Sequence, residues 1–174
     1  MKELIILISV VLSLETNSFS QKVSDYIKCP PELGSVEVNG NVNLLKIKKI
    51  GDVKKRIVPK KIDNHYYKSR YFYFGDTVKI IQHKNSFWDL KYKTSAIKFK
   101  YPSLIMTHKG IQIGTSTSED VMDTYGEPVI KYPYHIAYQF PNNILLWFYF
   151  YNIEETDTNY NPELKNKVVS ITIN

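Results

Sequence analysis

The aromatic run at residues 65–74 carries side chains that could grip a ligand. Tyrosines and phenylalanines alternate there with Lys68 and Arg70, and cations beside aromatic faces can hold a sugar or a peptide. In a β-strand alternate residues share a face. The candidate binding residues on one face are then Tyr67, Tyr71 and Tyr73. The alternative, which β-propensity alone favours, is a strand lying between core and solvent.

The polar stretch at residues 152–166 carries a second set of candidates. It is longer than a hairpin connection needs, and such loops are either functional or disordered. Tyrosines at its base and middle are large, stiff anchors for a protein partner, and the acids between them suit a basic one. The predicted protein-binding residues here are Tyr151, Glu154, Glu155, Asp157 and Tyr160. A tolerated insertion is the equal alternative, and a calcium-binding loop is a third.

Residues that could catalyse a reaction or bind a metal form no recognisable set. The histidines (His65, His83, His108 and His135) have no histidine neighbour at zinc-pair spacing. There is no Gly-x-Ser-x-Gly elbow, and the single cysteine, Cys29, stands beside two prolines without a catalytic partner nearby. We therefore predict no catalytic residue, no cofactor and no metal site, and a binding or structural protein in place of an enzyme.

A short helix with clear boundaries must position part of this surface. The sequence predicts a strand at 110–114 followed by a helix over 118–125. Thr117 and Asp120 have the spacing of a capping box, with Ser116 and Glu119 as the alternative pair, and Gly126 followed by Pro128 ends the helix. The residues predicted to pack on the sheet are Val121, Met122 and Tyr125, against Ile144, Leu146, Phe148 and Phe150 or their alternates.

Antiparallel strands are predicted on both sides of the helix. The predicted elements are hairpins at 35–50 around Asn39-Gly40 and at 65–82 around Gly75-Asp76, a basic loop or broken strand at 51–65, and strands at 88–92, 96–101, 134–140, 144–151 and 167–173. The predicted fold class is α+β, with an antiparallel β-rich N-terminal half followed by a strand–helix–three-stranded meander module.

The first twenty residues have the pattern of a signal peptide. Lys2 precedes an apolar run over residues 4–14, and Ser18-Phe19-Ser20 places small residues where a signal peptidase reads. The run is shorter than the roughly 20 apolar residues of a membrane span. We predict cleavage near Ser20–Gln21 and a secreted or periplasmic, unlipidated chain without a transmembrane segment. The predicted divisions are 1–20 signal peptide, 21–107 β-rich region and 108–174 module.

Charge is distributed unevenly along the chain. Residues 21–110 carry 19 Lys and Arg against 7 Asp and Glu, whereas residues 111–174 carry 3 against 8. A basic half can meet nucleic acid, but export argues against that partner. The predicted partner is a protein or an anionic envelope polymer. The plainer alternative is that lysines solvate the outer face and guard the edges of a sheet.

The C-terminal part resembles a known envelope module. The pattern Gly110-Ile-x-Ile-Gly114, Val121, Tyr125-Gly126-x-Pro128 and then three strands is similar to β-lactamase-inhibitory protein and to the small outer-membrane assembly lipoproteins of the BamE and SmpA type. The resemblance covers about residues 108–174 and implies a bacterial envelope protein, but transfers no binding residue. The function predicted is a non-catalytic binding or structural protein of the envelope. The alternatives are an inhibitor of an extracytoplasmic enzyme and a cell-wall or polysaccharide-acting hydrolase.

Overall fold

A computed structural model describes residues 21–29, 31–38, 53–62, 65–84, 92–103 and 105–174. Its strands are β1 (Gln21–Lys22), β2 (Ile27–Lys28), β3 (Glu37–Val38), β4 (Val53–Ile62), β5 (His65–Phe74), β6 (Val78–Lys84), β7 (Lys93–Lys100), β8 (Met106–Thr107), β9 (Ile130–Tyr132), β10 (His135–Phe140), β11 (Ile144–Phe150) and β12 (Val168–Ile173). Its helices are α1 (Pro31–Gly34) and α2 (Ser118–Tyr125), with 3₁₀ turns at Val23–Asp25, Pro141–Asn143 and Pro162–Leu164. The predicted signal peptide lies outside the described residues.

Eight of these strands form one antiparallel sheet, in the order β4-β5-β6-β7-β12-β11-β10-β9. Two meanders, β4 to β7 and β9 to β12, meet where β7 pairs with β12. One sheet therefore contains strands from both sides of the predicted division between residues 107 and 108. Two small pairs, β1 with β3 and β2 with β8, lie apart from it.

The hairpin of β5 and β6 has the predicted turn. Phe74 pairs with Val78, and Gly75 has a positive φ of 55° that favours glycine. The basic loop or broken strand predicted before it is wrong, because β4 pairs with β5 along its whole length, including Pro59 opposite Lys68. Proline is tolerated there because β4 is an edge strand, whose outer N–H groups have no sheet partner in the described chain.

Helix α2 begins and ends as predicted. The Asp120 N–H donates to the Thr117 hydroxyl at 3.2 Å, and the Thr117 N–H donates to the Asp120 carboxylate at 2.8 Å. These reciprocal bonds satisfy two amides that the first turn of a helix leaves free. The alternative cap, Ser116, instead accepts a bond from the Gln112 N–H at 3.0 Å and closes the glycine turn.

One face of the large sheet forms the core. Strand register aligns a row of buried or half-buried apolar residues across six strands, running through Ile136, Phe148, Ile171, Phe99, Val78 and Phe74. Val121 of α2 is fully buried against this cluster, and Met122 and Tyr125 pack beside it, as predicted. The Tyr125 ring lies 5.4 Å from that of Phe148.

The N-terminal segment 21–38 also packs on the core face, because its buried residues belong to the same cluster. The Tyr26 ring meets that of Phe140 edge-on at 5.2 Å. Strand β3 pairs with β1, whereas the turn and second strand of the hairpin predicted around Asn39-Gly40 lie outside the described residues. So does most of the strand predicted at 88–92.

The module differs from the sequence prediction in two places. The predicted meander gains a further strand, β9, which pairs with β10. The strand predicted at 110–114 is a single bridge between Gln112 and Met106. Apart from α2, the helical structure in the described chain is limited to single turns, so the protein is mostly β and the α+β class holds only in part. Among the described residues, no helix is both long and apolar enough to cross a membrane.

Candidate functional site

The second face of the large sheet, here called the open face, presents rings at its β9 end. Tyr132, His135 and Tyr149 stand directly opposite one another on β9, β10 and β11. The His135 ring lies 4.8 Å from Tyr132, 5.5 Å from Tyr149 and 5.7 Å from Trp147. Trp147 stacks on Tyr149 at 6.3 Å and donates its indole N–H to the Asn174 side chain at 2.8 Å. Strand pairing therefore brings these four aromatic side chains together on the open face.

Lysines cross the middle of the open face. Lys79 and Lys98 pair across β6 and β7. The Lys98 Nζ lies 4.6 Å from the centre of the Tyr149 ring, and the Lys79 Nζ lies 4.4 Å from that of Tyr71 and 5.5 Å from that of Tyr73. Such placements are favourable cation–π contacts. The aromatic side chains and the lysines of the open face thus form one connected surface.

The positive charges on this face crowd one another. Burial, with the like charges of Lys100 and Lys79, lowers the pKa of Lys98. Where the structure describes the chain, its ion pair is between Lys165 and Glu155, in the loop that follows β11, and does not involve these lysines. The cations of the open face are therefore available to a negatively charged ligand.

A cleft of about 590 Å³ opens where β7, β11 and β12 meet the loop that follows β11. Tyr134, Tyr149 and Tyr151 line it together with Lys98 and Lys100, and none of its described lining residues is acidic. Burial raises the pKa of the Tyr149 hydroxyl. The volume falls within the ~300–1,000 Å³ of sites that take small ligands.

Ser170 of β12 lines the same cleft. The residue is only 4% exposed, and its hydroxyl has no hydrogen-bond partner within the described ranges. Buried hydroxyls are normally bonded, so this one has spare capacity for a ligand that enters the cleft.

The predicted loop 152–166 is held together by its own contacts. The Tyr151 hydroxyl donates to the Asn159 carbonyl oxygen at 2.9 Å and accepts the N–H of Asn161, and the Tyr160 ring lies 6.0 Å from that of Tyr151. The loop is therefore a preformed structure with Tyr151 at its base.

The acids of this loop differ in whether their carboxylates already accept hydrogen bonds. Glu155 accepts from Lys165 at 2.7 Å and from the Tyr160 hydroxyl at 3.3 Å, and the bond and charge of Lys165 lower the pKa of that carboxyl. Asp157 accepts from the Asn159 N–H at 2.7 Å. Glu154 is exposed and is the acid of this set most available to a partner.

The structure separates the two predicted groups of site residues. Tyr71 and Tyr73 lie on the open face around Lys79, and the backbone of Tyr67 continues the same strand. Tyr151 follows β11, four strand spacings from β5, or about 19 Å across the sheet. Both groups border one surface without touching.

Sequence reasoning missed the residues that connect them, Lys79, Lys98, His135, Trp147 and Tyr149. A signal was present in the alternation of residues 144–151, where one set is aliphatic or phenyl and the other includes Trp147, Tyr149 and Tyr151.

Sequence reasoning also missed a serine–histidine pair. The Ser69 hydroxyl lies 2.8 Å from the His83 Nδ1, and the strand register places these residues opposite one another on β5 and β6. Ser69 is only 2% exposed and its hydroxyl is already bonded to His83, so the pair links β5 to β6.

Possible metal ligands and the cysteine of the described chain were candidates for chemistry in the sequence, and the structure gives their surroundings. Among the described residues, no group of three or more His, Cys, Asp or Glu side chains is arranged to hold a metal ion. The Asp120 carboxylate of α2 is occupied by the capping box. Burial raises the pKa of the half-buried Cys29 thiol to about 11, which leaves little of the reactive thiolate at neutral pH.

No protein-family model matches the chain, and comparison with curated proteins and with solved structures likewise gave no match.

Proposed function

We propose that the protein is a non-catalytic binding protein of the bacterial envelope whose partner is an anionic polymer held across the open face. The observation that carries this proposal is the pair Lys79 and Lys98, placed on tyrosine rings in the middle of an antiparallel sheet without an acid to neutralise them in the described chain. The proposed location is secreted or periplasmic, after cleavage near Ser20–Gln21.

The extent of the surface favours an elongated partner. Rings and lysines run from Tyr71 on β5 to Tyr132 on β9, six strand spacings or about 29 Å. Helices α1 and α2 and the rest of the N-terminal segment contribute their buried residues to the core cluster on the opposite side. A chain with repeated negative charges could therefore lie across the open face and meet several cations at once. Export places the protein away from nucleic acid.

The test uses two polymers that differ only in charge. Carboxymethyl-dextran should bind the mature protein and dextran should not, and binding should weaken as salt is raised because the contacts are solvent-exposed charges. Lys79→Gln should reduce the affinity at least about 5-fold, the effect of losing ~1 kcal/mol.

The matched control is Lys131→Gln. Lys131 stands opposite Ile136 and so belongs to the core side of β9, where it is exposed. This variant makes the same change in net charge and should leave the affinity within about 2-fold of the parent. Equal losses in both variants would mean that net charge, and not the open face, attracts the polymer.

We further propose that residues 108–174 form a module of the β-lactamase-inhibitory protein and BamE or SmpA kind, behind a β-rich region at 21–107. The order of a capped helix followed by an antiparallel meander supports this proposal. The proposal concerns fold only, since no binding residue of those proteins transfers to this chain.

A protein partner, such as an extracytoplasmic enzyme to be inhibited, is the second candidate. The observation that favours it is the preformed loop 152–166, since a loop already ordered by its own hydrogen bonds loses little entropy on binding. Replacing residues 154–161 with a short Gly/Ser linker should abolish capture of that enzyme while leaving carboxymethyl-dextran bound.

A further inference from the structure

The cleft beside the open face combines three features. It is concave, its lining includes Tyr134, Tyr149 and Tyr151, and Lys98 and Lys100 line it as well. Concave sites with a few converging polar groups are where small ligands bind.

Its electrostatics select a negatively charged group. No acid of the described chain lines the cleft, while two lysines and His135 do. Burial and the neighbouring charges of Lys100 and Lys79 disfavour the charged form of Lys98. A bound anion would therefore reduce the repulsion between these lysines. The Ser170 hydroxyl, which has no partner among the described residues, adds an uncharged donor at the same place.

Its position in the sheet disfavours a peptide. A peptide that adds a strand needs free backbone groups at a sheet edge. The strands beneath this cleft, β7, β12 and β11, are all interior and are paired on both sides. A sugar needs no such edge, because its C–H face can lie on a tyrosine ring while its hydroxyls bond to side chains.

We infer that the cleft binds a single acidic sugar residue, with its anionic group at Lys98, Lys100 and Ser170 and its ring against the tyrosines. The inference rests on the proposed function and deepens it. The open face would supply affinity for a charged chain, and the cleft would recognise one sugar of that chain or its end.

The experiment titrates the ¹⁵N-labelled mature protein with four acidic sugars, namely galacturonate, glucuronate, N-acetylneuraminate and glucose 1-phosphate. Galactose, glucose, acetate and inorganic phosphate are the controls. A short polyglutamate peptide tests the alternative that the cleft binds an acidic peptide. At least one acidic sugar should bind, with amide shifts centred on Tyr149 and Ser170. Its neutral parent, the free anions and the peptide should bind at least about 10-fold more weakly.

Variants locate the site. Lys100→Gln and Ser170→Ala should each weaken the acidic sugar at least about 5-fold. The first removes an exposed charge, and the second removes a hydroxyl that has no partner among the described residues, so both should fold. Lys93→Gln is the matched control, because Lys93 is an exposed lysine at the other end of the same strand, and it should change the affinity less than about 2-fold.

Several results would overturn the inference. They are equal losses in Lys93→Gln and Lys100→Gln, free anions or polyglutamate binding as tightly as the sugars, and no sugar binding while carboxymethyl-dextran still binds. In the last case the proposed function stands. A sugar bound in the cleft without any polymer binding would instead overturn the proposed function and support the cleft.

Discussion

Phe148 and Trp147 are neighbours on β11 that point to opposite faces, and exchanging each for alanine tests whether one face is truly open. Phe148 is fully buried, and its ring contacts those of Tyr125 and Tyr138. Trp147 is half-buried, stacks on Tyr149 and makes one exposed hydrogen bond. The two variants change the same strand, one residue apart.

The expected loss of stability is larger for the residue on the core face. Phe148→Ala should cost about 3–5 kcal/mol, the range for removing a buried phenyl group from a packed core. Trp147→Ala should cost about 1–2 kcal/mol, the net value of one exposed hydrogen bond and the ring contacts with Tyr149 and His135. For a domain of this size each kcal/mol lowers Tm by roughly 2–4 °C. The melting temperature should therefore fall by roughly 6–20 °C for Phe148→Ala and by roughly 2–8 °C for Trp147→Ala.

The assays are thermal and urea unfolding, both monitored by circular dichroism, together with carboxymethyl-dextran affinity. Phe148→Leu keeps the position apolar and gives a readable intermediate value if the alanine variant does not fold. Trp147→Ala should keep its fold and lose at least about 5-fold in polymer affinity, whereas Phe148→Leu should keep the affinity. Equal destabilisation by Trp147→Ala and Phe148→Ala would show that both faces are covered, and the open-face reasoning would be refuted.

Removing the cap with Thr117→Ala should destabilise the protein by about 1 kcal/mol in urea unfolding; no change would mean that α2 does not depend on its capping box. Lys98→Met should raise the stability of the free protein while lowering polymer affinity. Because the pKa of Lys98 is lower folded than unfolded, that gain should be complete below the folded pKa and should vanish as pH approaches the ordinary lysine value; a gain that persists above that value would contradict the assigned cause. Replacing residues 154–161 with a Gly/Ser linker should leave Tm unchanged, since the hydrogen bonds removed by this change lie within the loop; a large fall would make the loop part of the core. In a screen of envelope hydrolase substrates, neither the parent protein nor Ser69→Ala should show hydrolysis. Hydrolysis by the parent that Ser69→Ala abolishes would establish that the protein is an enzyme.

The features predicted correctly from sequence are those fixed by neighbours along the chain. Thr117 and Asp120 are three residues apart, and their reciprocal bonds need only the first turn of α2. The β5–β6 hairpin likewise follows from Gly75 and the strands that flank it. Local steric and hydrogen-bonding rules suffice in both cases, so a single sequence carries the information.

The rest of the candidate site depends on pairings that local rules do not specify. Lys98 reaches the Tyr149 ring because β12 separates β7 from β11 by one strand, and nothing near either residue in the sequence indicates that arrangement. Pro59 misled the prediction for a related reason, since proline disfavours a central strand and the edge position of β4 is visible only in the assembled sheet. The partners of Glu155 depend on how the loop folds back.

The central position of β12 has a consequence for the order in which the molecule can form. The meanders β4 to β7 and β9 to β11 contain only pairings between consecutive strands, and such contacts close short loops and form early. The pairing of Ile97 with Ile173 joins them across most of the described chain and cannot occur until residues 168–173 have been synthesised. Until then β7 and β11 each present an unpaired edge, the kind of surface on which chains associate wrongly. Strand β12 therefore joins the two meanders into one sheet. The open face and its cleft form only when β12 has paired with both β7 and β11.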